Sequence, residues 1–269
     1  MITVTLKSWR TVGVAAAALS LAACGGEGGE AGERAGAEGG EAGESGTSAT
    51  PPASSAAPPA GGEAGEAGAA SAYAGLAGDQ LTALRIQHLR GFVMAAAAVN
   101  EANRPAEAAV LVQQGLLEVY DVAPDQFGGL NVQIVRAAVD GAANQQQMAQ
   151  RLRDAEAEFE RALGGLDVDY AVLTVRMVDI ATGLYQGVVQ EDFVDPVEYQ
   201  HSMGAAKAAQ ASLNAALRRT DAAAYAEARA ELDRFVDLWP QATAPERPTS
   251  YREVLAQSSR VRLALSPFL

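Results

Sequence analysis

The sequence predicts an all-α domain, a helical bundle of about seven to eight helices, preceded by a signal peptide and a disordered tether. Three observations carry this reading. From residue 73 onward apolar residues recur at helical spacing, and the period-two alternation of a half-buried strand is missing. Breakers and capping residues divide the same region into about eight segments. Every Tyr and every Phe lies between Tyr73 and Leu269, whereas residues 25–71 hold no Val, Ile, Leu or aromatic side chain.

The segments follow from those signals in order. The first spans Asp79 to Ala102. The second spans Pro105 to Asp121, with Pro at a first helical position that needs no N–H partner. A third begins at Pro124 and a fourth at Asn144. The fifth, Asp167 to Gln190, is the most apolar, and Val172, Val175, Val178, Ile180, Leu184 and Val188 mark it as a central element. The sixth opens with Asp195-Pro196-Val197-Glu198, which reads as an N-cap, Pro at N1 and a capping-box Glu. The seventh runs from Asp221 to Trp239 and is stopped by Pro240. After the loop QATAPERPT, Ser250 and Glu253 cap the last helix.

Ahead of the domain the composition changes twice. Residues 25–71 are Gly, Ala, Glu, Ser and Pro in the main, with GGEAGE recurring at 28–33, 39–44 and 61–66. Such a stretch has nothing to bury against the entropy of ordering it, so residues 24–72 read as a flexible tether. Its roughly 48 residues give an r.m.s. span of about 40 Å. The repeats are low complexity and not a solenoid, because no unit has an apolar face to stack. Residues 1–23 carry Lys7 and Arg10, then TVGVAAAALSLAA, an apolar run too short to cross a bilayer. That is a secretory signal.

Cys24 is the only cysteine in the chain. One thiol closes no intramolecular disulfide, and two histidines elsewhere make a zinc motif around it hard to build. Leu21-Ala22-Ala23-Cys24 resembles the bacterial lipobox, in which the cysteine becomes the acylated N-terminus. The resemblance implies lipidation (palmitate-type acylation) at Cys24 and a domain that faces the periplasm. Gly25, not Asp, follows the cysteine, which favours the outer membrane. Each buried methylene contributes about 0.8 kcal/mol, so several acyl chains hold a domain at a membrane without help from charge. Charge gives none: once Lys7 and Arg10 leave with the signal, 33 acidic residues face 18 of the 20 basic ones, a net of −15. Nucleic acid and peripheral binding to anionic headgroups are excluded on that balance.

Two histidines remain. On a helical wheel His88 falls within about 40° of Leu81, Leu84, Phe92 and Val99, amid the apolar face. It is either a core group bonded to a neighbouring helix or a ligand and proton-handling group. His201 lies roughly 120 to 160° from the apolar direction of its segment and is expected to face solvent. In the second segment Glu107, Gln114, Glu118 and Asp121 project within about 60° of one another, with Val110, Leu116, Leu117 and Tyr120 opposite. That stripe reads as a solvated face or as a carboxylate wall meeting His88. A third group, Glu191, Asp192 and Asp195, fits metal ligation or simple attraction to a helix N-terminus.

The lipobox, the tether and the stretches IQHLRGF (86–92), LLEVYD (116–121) and GVVQEDFVDPVEYQ (187–200) together resemble the imelysin-type periplasmic proteins of bacterial iron uptake. DPVEYQ is also similar to the helical periplasmic segment of high-affinity iron permeases. The resemblance covers most of residues 79–217. Where imelysin proteins carry Gly-x-His-x-x-Glu, this chain has Ile86, His88 and Gly91. It implies a non-enzymatic binding protein that captures a metal, iron or copper, and passes it to an envelope transport component. The ligands it implies are His88, Glu118, Tyr120, Asp121, Glu198 and Tyr199. The alternative is a structural or interaction lipoprotein that docks another envelope protein and takes no ligand. A hydrolase needs a nucleophile with a base in reach, and neither histidine has such a partner in sequence. Cys24→Ala is expected to abolish acylation and release the chain from the membrane fraction, read by metabolic lipid labelling and fractionation; a processed mutant that stays in membranes overturns the anchor.

Overall fold

The computed structural model describes residue 69 and residues 71–140, 142–190 and 193–269. The signal peptide, Cys24 and nearly all of the tether therefore lie outside the described residues, as do Glu191 and Asp192. Nine α-helices run through the described part: α1 Gly78–Glu101, α2 Pro105–Gly115, α3 Val132–Arg136, α4 Gln145–Gly164, α5 Tyr170–Tyr185, α6 Pro196–Ser212, α7 Ala215–Thr220, α8 Ala222–Val236 and α9 Tyr251–Leu265. The all-α bundle is thus present, and Ala69 and Ala72 already lie in its core.

The capping residues do what their chemistry suggests, each satisfying helix N–H groups worth about 1 kcal/mol. Asn144 and Gln147 form a reciprocal capping box at the start of α4, and Ser250 and Glu253 form another at α9. Asp169 caps α5 and Asp221 caps α8. At α6 Asp195 accepts from the N–H groups of Val197 and Glu198, but the box expected with Glu198 is not made. The Asp195 N–H is taken by the Val188 carbonyl at 2.8 Å, and Glu198 is buried.

That bond belongs to a small hairpin the apolar spacing concealed. The fifth segment stops being α-helical at Tyr185, and the chain tightens through Gln186, Gly187 and Val188, each bonding three residues back. Two short strands follow, β1 Val189–Gln190 and β2 Phe193–Val194, paired antiparallel with Val189 opposite Val194. Gly187 permits the turn to lie against α6, where an added Cβ would stand 3.3 Å from Cγ of Glu198.

Three further expectations are corrected. His201 does not face solvent; it is 6% exposed. Helix α6 is buried on nearly every side, because Gly204 and Ala205, Ala206, Ala208 and Ala209 let neighbours close in all round. A helix of small residues has no apolar stripe from which to read an inside. Val110 and Leu117, placed opposite the polar stripe, are 53% and 56% exposed. The buried face of α2 is instead Ala108, Ala109, Leu111, Val112 and Gly115. Beyond Gly115 the helix widens into a π-helical turn, Leu116–Tyr120, closed by the Asp121 N–H on the Leu116 carbonyl at 2.8 Å. The extra residue in that turn shifts the register of everything after it.

Helix α1 is the hub, packing on α2, α4, α5 and α6, while α6 packs in turn on α5 and α8, and α9 closes over α5 and α8. Arg90 on α1, 7% exposed, reaches Glu156 on α4 with Nε at 2.9 and 3.0 Å from its two oxygens. Arg90 is buried and Glu156 partly exposed, so the pair ties two helices, and loss of Glu156 would take its main partner from a buried guanidinium. The tightest contact joins α1 to α6 through Gly91 and Gly204. A Cβ on Gly204 would sit 2.8 Å from the Gly91 carbonyl carbon and closer still to its oxygen. A Cβ on Gly91 would stand 3.1 Å from the carbonyl carbon of Gly204. The obstacles are backbone atoms, which cannot swing aside. Gly204→Ala is therefore expected to destabilise the domain by about 3 kcal/mol or prevent folding, with a clear loss on chemical denaturation. Alanine at the open position Gly164 should change little.

Candidate functional site

Four aromatic rings run in file beside the glycine contact: Tyr73, His88, Phe92 and His201, with successive centroids 6.1, 5.7 and 4.6 Å apart. Tyr73 comes from a short 3-10 turn, Ser71–Tyr73, His88 and Phe92 from one face of α1, and His201 from α6. Phe92 lies against Gly115, whose Cα leaves room where a Cβ would be 2.6 Å from the ring. His201 meets the polar stripe of α2: Nε2 is 3.4 Å from Oε1 of Gln114, and Nδ1 is 3.9 Å from a Glu118 oxygen. Gln200 donates to Glu107 at 2.9 Å. The polar stripe inferred from the sequence is half-buried at Glu107 and Gln114 and exposed at Glu118 and Asp121, and the histidine ring it approaches is His201.

His88, 7% exposed, points inward as its spacing predicts. Its Nδ1 is 2.6 Å from the Tyr73 hydroxyl, while Nε2 is buried with no partner among the described residues. The Arg85 guanidinium lies over the Tyr73 ring, its carbon 4.2 Å from the centroid.

His88 is one of the residues lining a cavity of ≈ 250 Å³. Tyr73, Arg85, His88 and Glu118 supply its polar wall, and Phe92, Val119 and Leu184 its apolar one. Arg85 gives Nε to Oε1 of Gln126 at 3.0 Å and has no carboxylate partner among the described residues. A larger hollow of ≈ 680 Å³ between α3 and α4 is rimmed by exposed charges such as Arg151 and Arg161, each already paired. A third, of ≈ 300 Å³, is lined in part by Asn100, whose side-chain nitrogen donates to the Gln145 carbonyl at 3.1 Å and whose own carbonyl accepts from the Gln145 side chain at 2.9 Å, while its Oδ1 is buried with no hydrogen-bond partner among the described residues.

The six expected metal ligands are dispersed. His88 and Glu118 share the cavity. Tyr120 stacks on Phe127 at 4.8 Å, and Asp121 pairs with Arg136 at 2.8 Å. Tyr199 is fully buried and donates to the Gln241 carbonyl at 3.1 Å, and Glu198 lies under Gly187. Among the described residues no three His, Cys, Asp or Glu side chains are grouped to hold a metal ion. Asp195 is occupied as an N-cap. Sequence reasoning missed Tyr73 and Arg85, because Tyr73 stands at the expected edge of the tether and Arg85 has the spacing of an ordinary surface cation. The available signal was their separation from the histidine, since Arg85 sits one turn before His88.

No protein-family model matches the chain, and no curated protein or solved structure is significantly similar to it. No described helix is long and apolar enough to cross a membrane.

Burial, with the nearby charges of His201 and Arg85, holds His88 down at about 3. Burial likewise lowers His201 to about 4, against a smaller upward pull from Asp195. Both are neutral at pH 7. Unfolded histidines protonate near 6.5, so below that pH the unfolded chain takes up protons that the folded chain refuses. Stability is full above about pH 6.5 and falls as the pH drops toward the folded values, by up to about 1.4 kcal/mol per pH unit for each histidine. Between pH 7.5 and 5, above the ordinary carboxylate range, the melting temperature is expected to drop, and His88→Phe and His201→Gln should each remove part of the drop. Equal pH slopes in wild type and both variants would overturn the assignment.

Proposed function

We propose that this chain is a lipid-anchored binding protein of the cell envelope, with acylated Cys24 in the membrane, a tether of about 40 Å r.m.s. span, and a helical domain that takes its ligand in the cavity at His88. The observation that carries the reading is Nε2 of His88, buried beside that cavity without a partner among the described residues. An unmet buried polar atom costs about 1 to 3 kcal/mol, so a fold selected for stability alone would place an apolar side chain there. The described partners of the two histidines are Tyr73, Phe92, Gln114 and Glu118, with no Ser, Thr, Lys or Cys nucleophile among them, and binding without catalysis is the role assigned. In the metal form of this reading, iron or copper bound for an uptake component is held by His88 and Glu118. Two protein donors suit a complex that brings its own ligands better than a bare ion.

A second reading, an interaction lipoprotein, is favoured by Val189, Phe193 and Val197, exposed together around the hairpin and the start of α6. The two separate on stability. If the Tyr73–His88 pair is kept for a ligand, Tyr73→Phe/His88→Phe should melt at or above wild type in the unliganded chain, because both polar partners are replaced by similar apolar shapes. A loss above about 2 kcal/mol would make the pair structural and leave the interaction reading. Calorimetric titration of the purified full chain with ferric citrate and copper(II) reads the metal form: saturable heat lost in His88→Ala and Glu118→Gln supports it, and no heat removes it.

A further inference from the structure

The residues around the His88 cavity differ in how firmly the fold holds them. His88 and Phe92 on α1, Val119 in the π-helical turn and Leu184 on α5 belong to the bundle itself. Ala69 and Tyr73 line the same cavity from the segment that leads in from the tether. Across residues 71–77, SAYAGLA, Tyr73 and Leu76 are the only side chains larger than serine, so little apolar surface holds this segment down. Its backbone forms two separate turns, with the Ala74 N–H on the Ser71 carbonyl at 3.2 Å and the Leu76 N–H on the Tyr73 carbonyl at 3.3 Å. Between Tyr73 and the body of α1 stand Gly75 at φ 77° and Gly78 at φ 55°, both in the left-handed region. Glycines there absorb large backbone rotations without a Cβ penalty, which is what a hinge requires.

Tyr73 is the fastening. Its hydroxyl is 2.6 Å from Nδ1 of His88, and the Arg85 guanidinium lies over its ring. A further bond from Arg176 of α5 to the Ala74 carbonyl, at 3.4 Å, is at the outer limit of hydrogen bonding. We propose that residues 71–77 are a hinged lid on the His88 cavity, latched by Tyr73 and turning on Gly75 and Gly78. The lid rests on the ligand-site reading above and supplies the route by which a ligand enters. With the lid down, Tyr73 is part of the cavity wall; with it lifted, that wall is gone and His88 loses its cover. A ligand that touches Tyr73 favours the closed lid, and the closed lid slows its escape.

The two histidines supply the test. They are almost equally buried, 7% and 6% exposed, yet it is His88 that meets Tyr73. Diethyl pyrocarbonate acylates neutral imidazole, the form both take at pH 7. The purified full chain is treated at that pH, and each histidine is followed over time by peptide mass spectrometry. Local opening of the lid is expected to make His88 react at least about fivefold faster than His201. Tyr73→Phe keeps the ring and removes the latching hydroxyl, and should speed His88 by about fivefold, the net worth of one hydrogen bond. At Gly75 an added Cβ meets nothing within 4 Å, but φ 77° strains any side chain, so Gly75→Ala should speed His88 by about tenfold. Neither substitution should change the rate at His201, which separates lid opening from general loss of stability. With helicity intact by circular dichroism, equal rates at the two histidines in wild type, a His88 rate unmoved by both substitutions, or equal acceleration of both histidines overturns the lid. The stability of the Tyr73→Phe/His88→Phe chain reads the ligand site independently, so the two proposals fail separately.

Discussion

Gly91 against Gly204 is the contact on which the rest of the domain is hung. Two helices touch there through bare backbone, closer than any pair of side chains would allow. Because His88 stands three residues before Gly91, and His201 three before Gly204, each ring lies one turn from the contact on its own helix. The glycines thereby bring two histidines from distant parts of the chain to either side of Phe92. A third glycine, Gly115, receives that ring and draws α2 onto the same spot. What looks like a cluster of aromatic residues is set by the absence of side chains at three positions.

The charges follow a different logic. The domain's acids are spread over its surface, and several are matched singly with arginines: Glu107 with Arg104, Asp140 with Arg151, Asp233 with Arg229. Such exposed pairs add little each, and among the described residues the acids form no concentrated cluster. Arg85 stands apart from this pattern, half-buried over a tyrosine with no acidic partner among the described residues. In a chain of net negative charge, a cation left this way against a cavity is where an opposite charge from outside is best received.

Much of the fold was legible in the sequence because local rules act on single residues. Asn144, Asp195, Asp221 and Ser250 each cap a helix through a side chain of fixed chemistry, and Pro105 and Pro196 sit where a missing N–H is harmless, whereas the fifth segment is capped by Asp169, two residues after its expected start at Asp167. His88 was legible for a related reason: large apolar neighbours on α1 mark its inner face. His201 was not, since alanines and glycine around it carry no direction and burial there depends on which helices arrive. The hairpin after α5 escaped because strands of two residues are too short to show alternation. The cavity escaped almost wholly. It needs Tyr73 from one turn, Arg85 and His88 from α1 and Glu118 from the end of α2, and no local rule joins residues so far apart.

The π-helical turn at Leu116–Tyr120 places Glu118 by counting. A helix gains or loses about 100° of rotation for each residue inserted or removed, whatever that residue is. Within the turn Leu117 is exposed and a Glu118 oxygen stands 3.9 Å from Nδ1 of His201. The acid's address is therefore written in chain length and not in side-chain identity. Loss of a single codon in this turn would restore ordinary winding and swing the carboxylate off the cavity, while composition, charge and every other wall of the site stayed as they are.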